Sequence, residues 1–222
     1  MSPEMLFALL WKSLLQTLQM VAVSGVVGAL VGLPIGVFLA TSGKGELFPA
    51  PKLNYVIGLI VNAARSTPFI ILVVAIIPFT RLLTGTSIGT TAAIVPLTIA
   101  TIPFFARLVE AAIREIDKGL IEAARAMGAT PMQIVFKVLL AEARPSIMLA
   151  FTMTIVSLIG YSAMVGAVGG GGLGDLGIRY GYQRFMPEVM LAVVVVLIVL
   201  VQAVQSAGDA LARRFDKRNR KS

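Results

Sequence analysis

Apolar and polar positions alternate in blocks along this chain, not at the period of a soluble helix or strand. Five apolar runs stand out: Leu14–Ala40, Tyr55–Phe79, Ile88–Val109, Pro145–Val168 and Val189–Leu211. A helix rises about 1.5 Å per residue and a bilayer core is about 30 Å thick, so about 20 apolar residues make a span. The first run is broken only by Gln16, Thr17, Gln19 and small residues. The second contains Arg65, and its uninterrupted part, Pro68–Phe79, is short. The pattern predicts an all-α membrane protein: a single domain over 1–222 with five transmembrane helices. Met1–Leu10 lacks the basic start of a signal peptide, and none is expected.

Composition agrees. Charged residues make up 14% of the 222, against about 25% in soluble domains, and 57% are hydrophobic. There is no cysteine and no histidine. Disulfides, thiolate nucleophiles, Cys/His zinc sites and histidine proton relays are excluded. The net charge is +8. In a membrane chain, the placement of basic residues sets orientation. With the N-terminus outside, 15 of the 19 Lys and Arg fall on inner segments and four (Lys12, Arg81, Arg179, Arg184) on outer ones. The expected topology is therefore N-out and C-in, with Arg65 snorkelling from the inner end of span two. Trp11, Tyr55, Tyr180 and Tyr182 fall where interfacial belts sit. The basic tail 212–222 reads as a stop-transfer segment on anionic lipid, and no nucleic-acid role is expected.

Between spans three and four lies the one long polar stretch, Glu110–Arg144. Asp117 caps a predicted short helix over Leu120–Met127, and Gly128 suits the left-handed position that ends it. Thr130, Pro131 and Gln133 form a T-x-x-Q capping box for a second helix, Met132–Leu140. Ala123, Ala124 and Ala126 leave a small-sided surface, and Met127 and Met132 flank the turn as adaptable contact residues. The residues alone leave two readings, a connector resting on headgroups or a docking surface.

Other chemistry is missing. No G-x-x-x-x-G-K-[ST] loop occurs, so ATP is not bound by that route. None of the eleven acids is expected at mid-bilayer, which argues against a proton-coupled carrier. Serines in the spans have no histidine or membrane lysine to activate them. No cofactor or metal is expected on this chain.

Span four ends in Tyr161-Ser162-Ala163-Met164. Small residues there permit close helix packing. Tyr161, Ser162 and Met164 also offer a polar contact, a hydroxyl and a polarizable thioether to a path or gate. Pro68, Pro78, Pro96 and Pro103 interrupt backbone bonding in spans two and three, as cavity-lining helices tolerate and as loose helix packing explains equally well. Gly169–Gly177 reads either as a flexible linker or as a backbone-rich outer gate.

Glu122-Ala123-Ala124, followed by Gly128 and a hydrophobic stretch at Val138–Leu140, resembles the EAA loop of ABC importer permeases. The usual Ile-x-Leu-Pro close reads Val138-Leu139-Leu140-Ala141 here. Arg65-Ser66-Thr67-Pro68-Phe69, Ile77-Pro78-Phe79-Thr80-Arg81, Gly85-Thr86-Ser87-Ile88-Gly89 and Gly160-Tyr161-Ser162-Ala163-Met164 extend the likeness over almost the whole chain. Together they resemble the permease subunits of methionine ABC importers. The resemblance implies a type I importer fold in a bacterial plasma (inner) membrane. It implies that Glu122, Ala123, Ala124, Met127, Gly128, Ala129, Thr130, Pro131 and Met132 couple to a cytoplasmic ATPase. The implied partners are two ATPase subunits, which bind ATP and Mg, a second copy of this permease, membrane lipid and a periplasmic or lipid-anchored methionine-binding protein. An importer of another solute, an ion-coupled carrier or channel, and an intramembrane enzyme are the alternatives.

Overall fold

Ser2 starts the first helix. Its side chain accepts from the Met5 amide, and Pro3 occupies the first turn, where no donor is required. In this computed structural model, which describes residues 2–215, helix α1 runs Pro3–Thr41. Its 39 residues extend about 58 Å at about 1.5 Å each. The helix therefore begins well before the apolar run at Leu14, because capping fixes a helix end and hydropathy fixes only its immersed part. Three further helices are long and apolar enough to span: α5 Thr90–Arg114, α9 Arg144–Ala167 and α11 Pro187–Phe215. Tail residues 216–222 lie outside the described residues.

The expected second span is not one helix. It divides into α2 Pro51–Ser66, α3 Phe69–Ala75 and α4 Ile77–Thr84, with α2 and α3 bent by 102°. Pro68 is the cause. Its ring disfavours helical geometry in the preceding residue, and Thr67 is extended at φ −80°, ψ 124°. Pro78, by contrast, lies in the first turn of α4, and Pro96 and Pro103 are absorbed inside α5. The 102° bend is at Pro68, and the second break, at Ile76, comes just before Pro78.

Helix α1 packs chiefly on α5, then on α9 and the short α10, Gly172–Leu176. Four glycines, each one turn apart, make this approach. A Cβ at Gly32 would lie 2.9 Å from the Ile102 carbonyl oxygen, and one at Gly36 2.5 Å from that of Ala106. Gly28 would meet the Thr101 side chain, and Gly25 the end of Ile155. Such small-residue seams let membrane helices gain contact where no hydrophobic force drives them together. Helix α11 packs on α9 by the same device at Gly208, against Thr152.

Three buried clusters follow. One joins α1 and α5 to the polar loop through Val109, Ile113, Ile134, Val135 and Leu139. One fills the middle with Met20, Leu97, Leu158 and Ile159. The third seats Leu173 and Leu176 between α1 and α11, against Val189 and Val193. Gly169–Gly177 is accordingly not a loose linker. The Gly172 amide donates to Gln16 Oε1 at 3.0 Å, and Leu173 is fully buried. A π-helical turn, Gly177–Tyr182, leads on to α11.

Candidate functional site

The polar loop is shorter than its charge pattern suggested, because α5 continues to Arg114 and takes Glu110 with it. Glu110 is buried. It receives Arg107 Nη1 at 2.5 Å and Arg114 Nη2 at 2.9 Å. The two arginines reach on to other helices: Arg107 donates to the Gly58 carbonyl at 2.9 Å and Arg114 to that of Leu39 at 3.4 Å. One carboxylate thus ties α1, α2 and α5 together directly above the loop. The spacing Arg107-x-x-Glu110-x-x-x-Arg114 was the available signal, since residues three and four apart share a helix face.

Below this clamp, Asp117 accepts from the Gly119 amide at 2.7 Å and starts α6, Lys118–Ala126. The chain then reverses at Gly128, with φ +79°. The Gly128 amide donates to the Arg125 carbonyl at 2.9 Å and that of Ala129 to the Ala124 carbonyl at 3.0 Å. These bonds satisfy carbonyls that the helix end leaves free. Both halves of the capping box are present at Thr130 and Gln133, so the amides of both residues are bonded where α7, Pro131–Gln133, begins. A π-helical segment, Ile134–Leu139, and α8, Leu140–Glu142, complete the second helix. The expected Met132–Leu140 helix is therefore longer and partly widened.

The two faces of the loop differ sharply. Ile134, Val135 and Leu139 are buried against α5, and so is Ala124. Ala124 belongs to the inner face and not to the small-sided outer surface, which Ala123 and Ala126 form. Met127 is 82% exposed and Met132 57%, on either side of the turn, with Glu122, Thr130 and Pro131 also exposed and Ala129 half-buried. The loop thus presents a rigid knob: a fixed turn on a packed base, tipped by two flexible thioethers.

The expected path residues separate. Tyr161 stacks on Phe69, ring centroids 4.5 Å apart. Tyr161 and Met164, one turn apart on α9, line an open cavity of about 460 Å³. Phe104 of α5 and Arg65-Ser66-Thr67-Pro68 at the bend complete its wall. Ser162 points the other way. It is buried, and its hydroxyl donates to the Ile159 carbonyl at 2.7 Å. Helical geometry explains the split, since adjacent residues point about 100° apart. Arg65 is also displaced from its expected place. It is fourteen residues beyond Pro51, about 21 Å along the helix, and sits beside the bend and not near the start of α2.

A helical membrane bundle with one broken span, and a capped helix–turn–helix projecting from a charge-clamped end, defines a transport permease of the type I ABC importer fold. The chain belongs to the family described as binding-protein-dependent transport system inner membrane component, whose model matches residues 32–221. It is 58% identical over 203 residues to the probable D-methionine transport system permease protein MetI of Vibrio cholerae, covering 91% of this chain and 90% of that one. The D-methionine transport system permease protein MetI of Escherichia coli strain K12 is 55% identical over 166 residues, 75% of this chain and 76% of that one. An inward-facing structure of the MetNI methionine ABC transporter superposes with a TM-score of 0.95 at 52% identity, covering 98% of this chain and all of that one.

Proposed function

We propose that this chain is the membrane-spanning subunit of an ATP-driven methionine importer in a bacterial plasma membrane. Two copies form the path. Two cytoplasmic ATPase subunits, which carry ATP and Mg, dock on the exposed loops, and a periplasmic or lipid-anchored protein delivers methionine. The N-terminus lies outside and the C-terminus in the cytoplasm, as the 15-to-4 division of basic residues supports. The observation that carries the reading is the loop: a turn fixed by Gly128, tipped by Met127 and Met132, and packed through Ile134 and Leu139 onto α5. The similarity to the methionine permeases of Vibrio cholerae and Escherichia coli supports the substrate.

The geometry supports a route for this coupling. The turn resists a force on the knob, because its Gly128, Ala129, Thr130 and Gln133 amides are all bonded. It passes through the buried base into α5, and the Glu110 clamp shares it with α1 and α2. Packed interfaces switch between discrete arrangements instead of deforming smoothly. The path wall at Phe104 is on that same helix α5.

Reconstitution tests this. The permease, its ATPase and its binding protein in liposomes are expected to take up labelled methionine only with ATP inside reach of the ATPase. Excess unlabelled methionine is expected to abolish the uptake. Uptake of a different solute with none of methionine would overturn the substrate, and uptake without the ATPase would overturn the mechanism.

A further inference from the structure

We propose that Arg65 is the carboxylate-binding residue of a substrate subsite at the bend of the second span, taking amino acids with an unbranched apolar side chain. The proposal rests on the importer reading above and adds to it the residue that holds the charged end of the substrate within the membrane path.

Position comes first. The cavity beside Arg65 is level with Ala100 and Phe104, near the middle of α5. A basic side chain within a membrane span is costly, and such residues mark substrate or ion pathways. The 21 Å or so to the start of α2 removes the inner interface as a place for the guanidinium to reach. The negative end of the α2 dipole at Ser66 favours a cation there, but it does not explain a cavity.

The missing partner comes second. The three ion pairs among the described residues engage Arg107, Arg114 and Arg179. Arg65 has neither a carboxylate nor a hydrogen-bond acceptor among them. Its guanidinium donors are therefore unpaired on an exposed side chain that lines an open cavity of about 460 Å³, within the size range of small-molecule sites. A planar guanidinium matches a carboxylate through two parallel bonds, and this fork is what lysine lacks.

The remaining wall is chemically opposite. Phe69 and Tyr161 stack face to face, and Tyr161, Phe104, Leu72 and Met164 give the cavity an aromatic and apolar wall beside them. No acidic residue lines the cavity. A cation at one end of an aromatic and thioether trough fits a carboxylate carrying an apolar or thioether chain. Broken helices lining a midplane cavity are a general way to build such sites, since their irregular backbone is tolerated there.

The chain has no cysteine, which permits a decisive test in the reconstituted complex. Arg65→Gln is expected to lower methionine uptake at least tenfold, and Arg65→Lys to retain more of it. Arg65→Cys, purified as an assembled complex with its ATPase, is expected to be as impaired as Arg65→Gln. A thiol reagent that installs an aminoethyl cation is then expected to restore uptake several-fold, and one that installs a neutral methyl is not. Rescue after assembly separates charge from folding. Wild-type uptake in Arg65→Gln, equal rescue by the neutral adduct, or no rescue by the cation would each overturn the proposal. Failure of the unmodified wild-type complex to import methionine would instead overturn the importer reading.

Discussion

The backbone amide of Leu173 donates to the hydroxyl of Thr17 at 2.9 Å, across 156 positions of sequence. Both groups are buried, and the neighbouring Gly172 amide is held by Gln16. This pair fixes the glycine-rich segment to the flank of α1. We predict that Thr17→Val leaves the Leu173 donor without a partner and costs about 1–3 kcal/mol, whereas Thr17→Ser costs little. Thermal unfolding of the two variants in detergent measures the difference. Equal midpoints would show that the bond does not hold the segment.

Gly128 has φ +79° and open space where a Cβ would stand. Sterics around the side chain are therefore irrelevant, and only the backbone objects. A β-branched residue there is predicted to cost about 1–3 kcal/mol of local strain and to reposition the Met127–Met132 knob. In Gly128→Val, either the ATPase fails to co-purify or it hydrolyses ATP without uptake. Normal assembly with normal coupled uptake would remove the loop from its role.

Removing one member of a buried ion cluster leaves the others uncompensated. Glu110→Gln is predicted to destabilise the bundle by about 3 kcal/mol, less whatever solvent screens at the half-exposed Arg114. Leu39 and Gly58 receive the same two arginines, so proteolysis of the α1–α2 connection should accelerate in this variant. An unchanged digestion rate and midpoint would contradict the clamp.

Orientation is read by single cysteines in the cysteine-free chain. Phe185 is 86% exposed and Met127 82%, so each can carry a reactive thiol without disturbing a core. Phe185→Cys is predicted to react with an impermeant reagent in intact spheroplasts, and Met127→Cys only after lysis and removal of the ATPase docked over it. The reverse pattern would invert the topology.

Replacing a seam glycine probes packing of α1 on α5. Gly36→Leu would drive a side chain into the Ala106 carbonyl and Val109. It is predicted to abolish the folded subunit in detergent, while Gly160→Leu, with open space around its Cβ position, is predicted to fold. Similar yields of both would count against the seam.

Much of this protein is written locally. Four of the five apolar runs fall in single helices long and apolar enough to span, because that property depends on a segment's own composition. The loop was legible in greater detail. The Asp117 cap, the left-handed Gly128 and the Thr130–Gln133 box each depend on three or four consecutive residues, and each is present as the sequence predicts. What needed the tertiary structure depends on residues far apart. Pro68 announced a break, but that the bend gathers Arg65, Tyr161 and Phe104 around one cavity is decided only by the packing of three helices. The stacking of Phe69 on Tyr161, the burial of Ser162 away from the path and the anchoring of Leu173 on Thr17 have no local signature. They arise only when separate helices choose which faces to bring together, and that choice is made by side-chain contacts between distant parts of the chain.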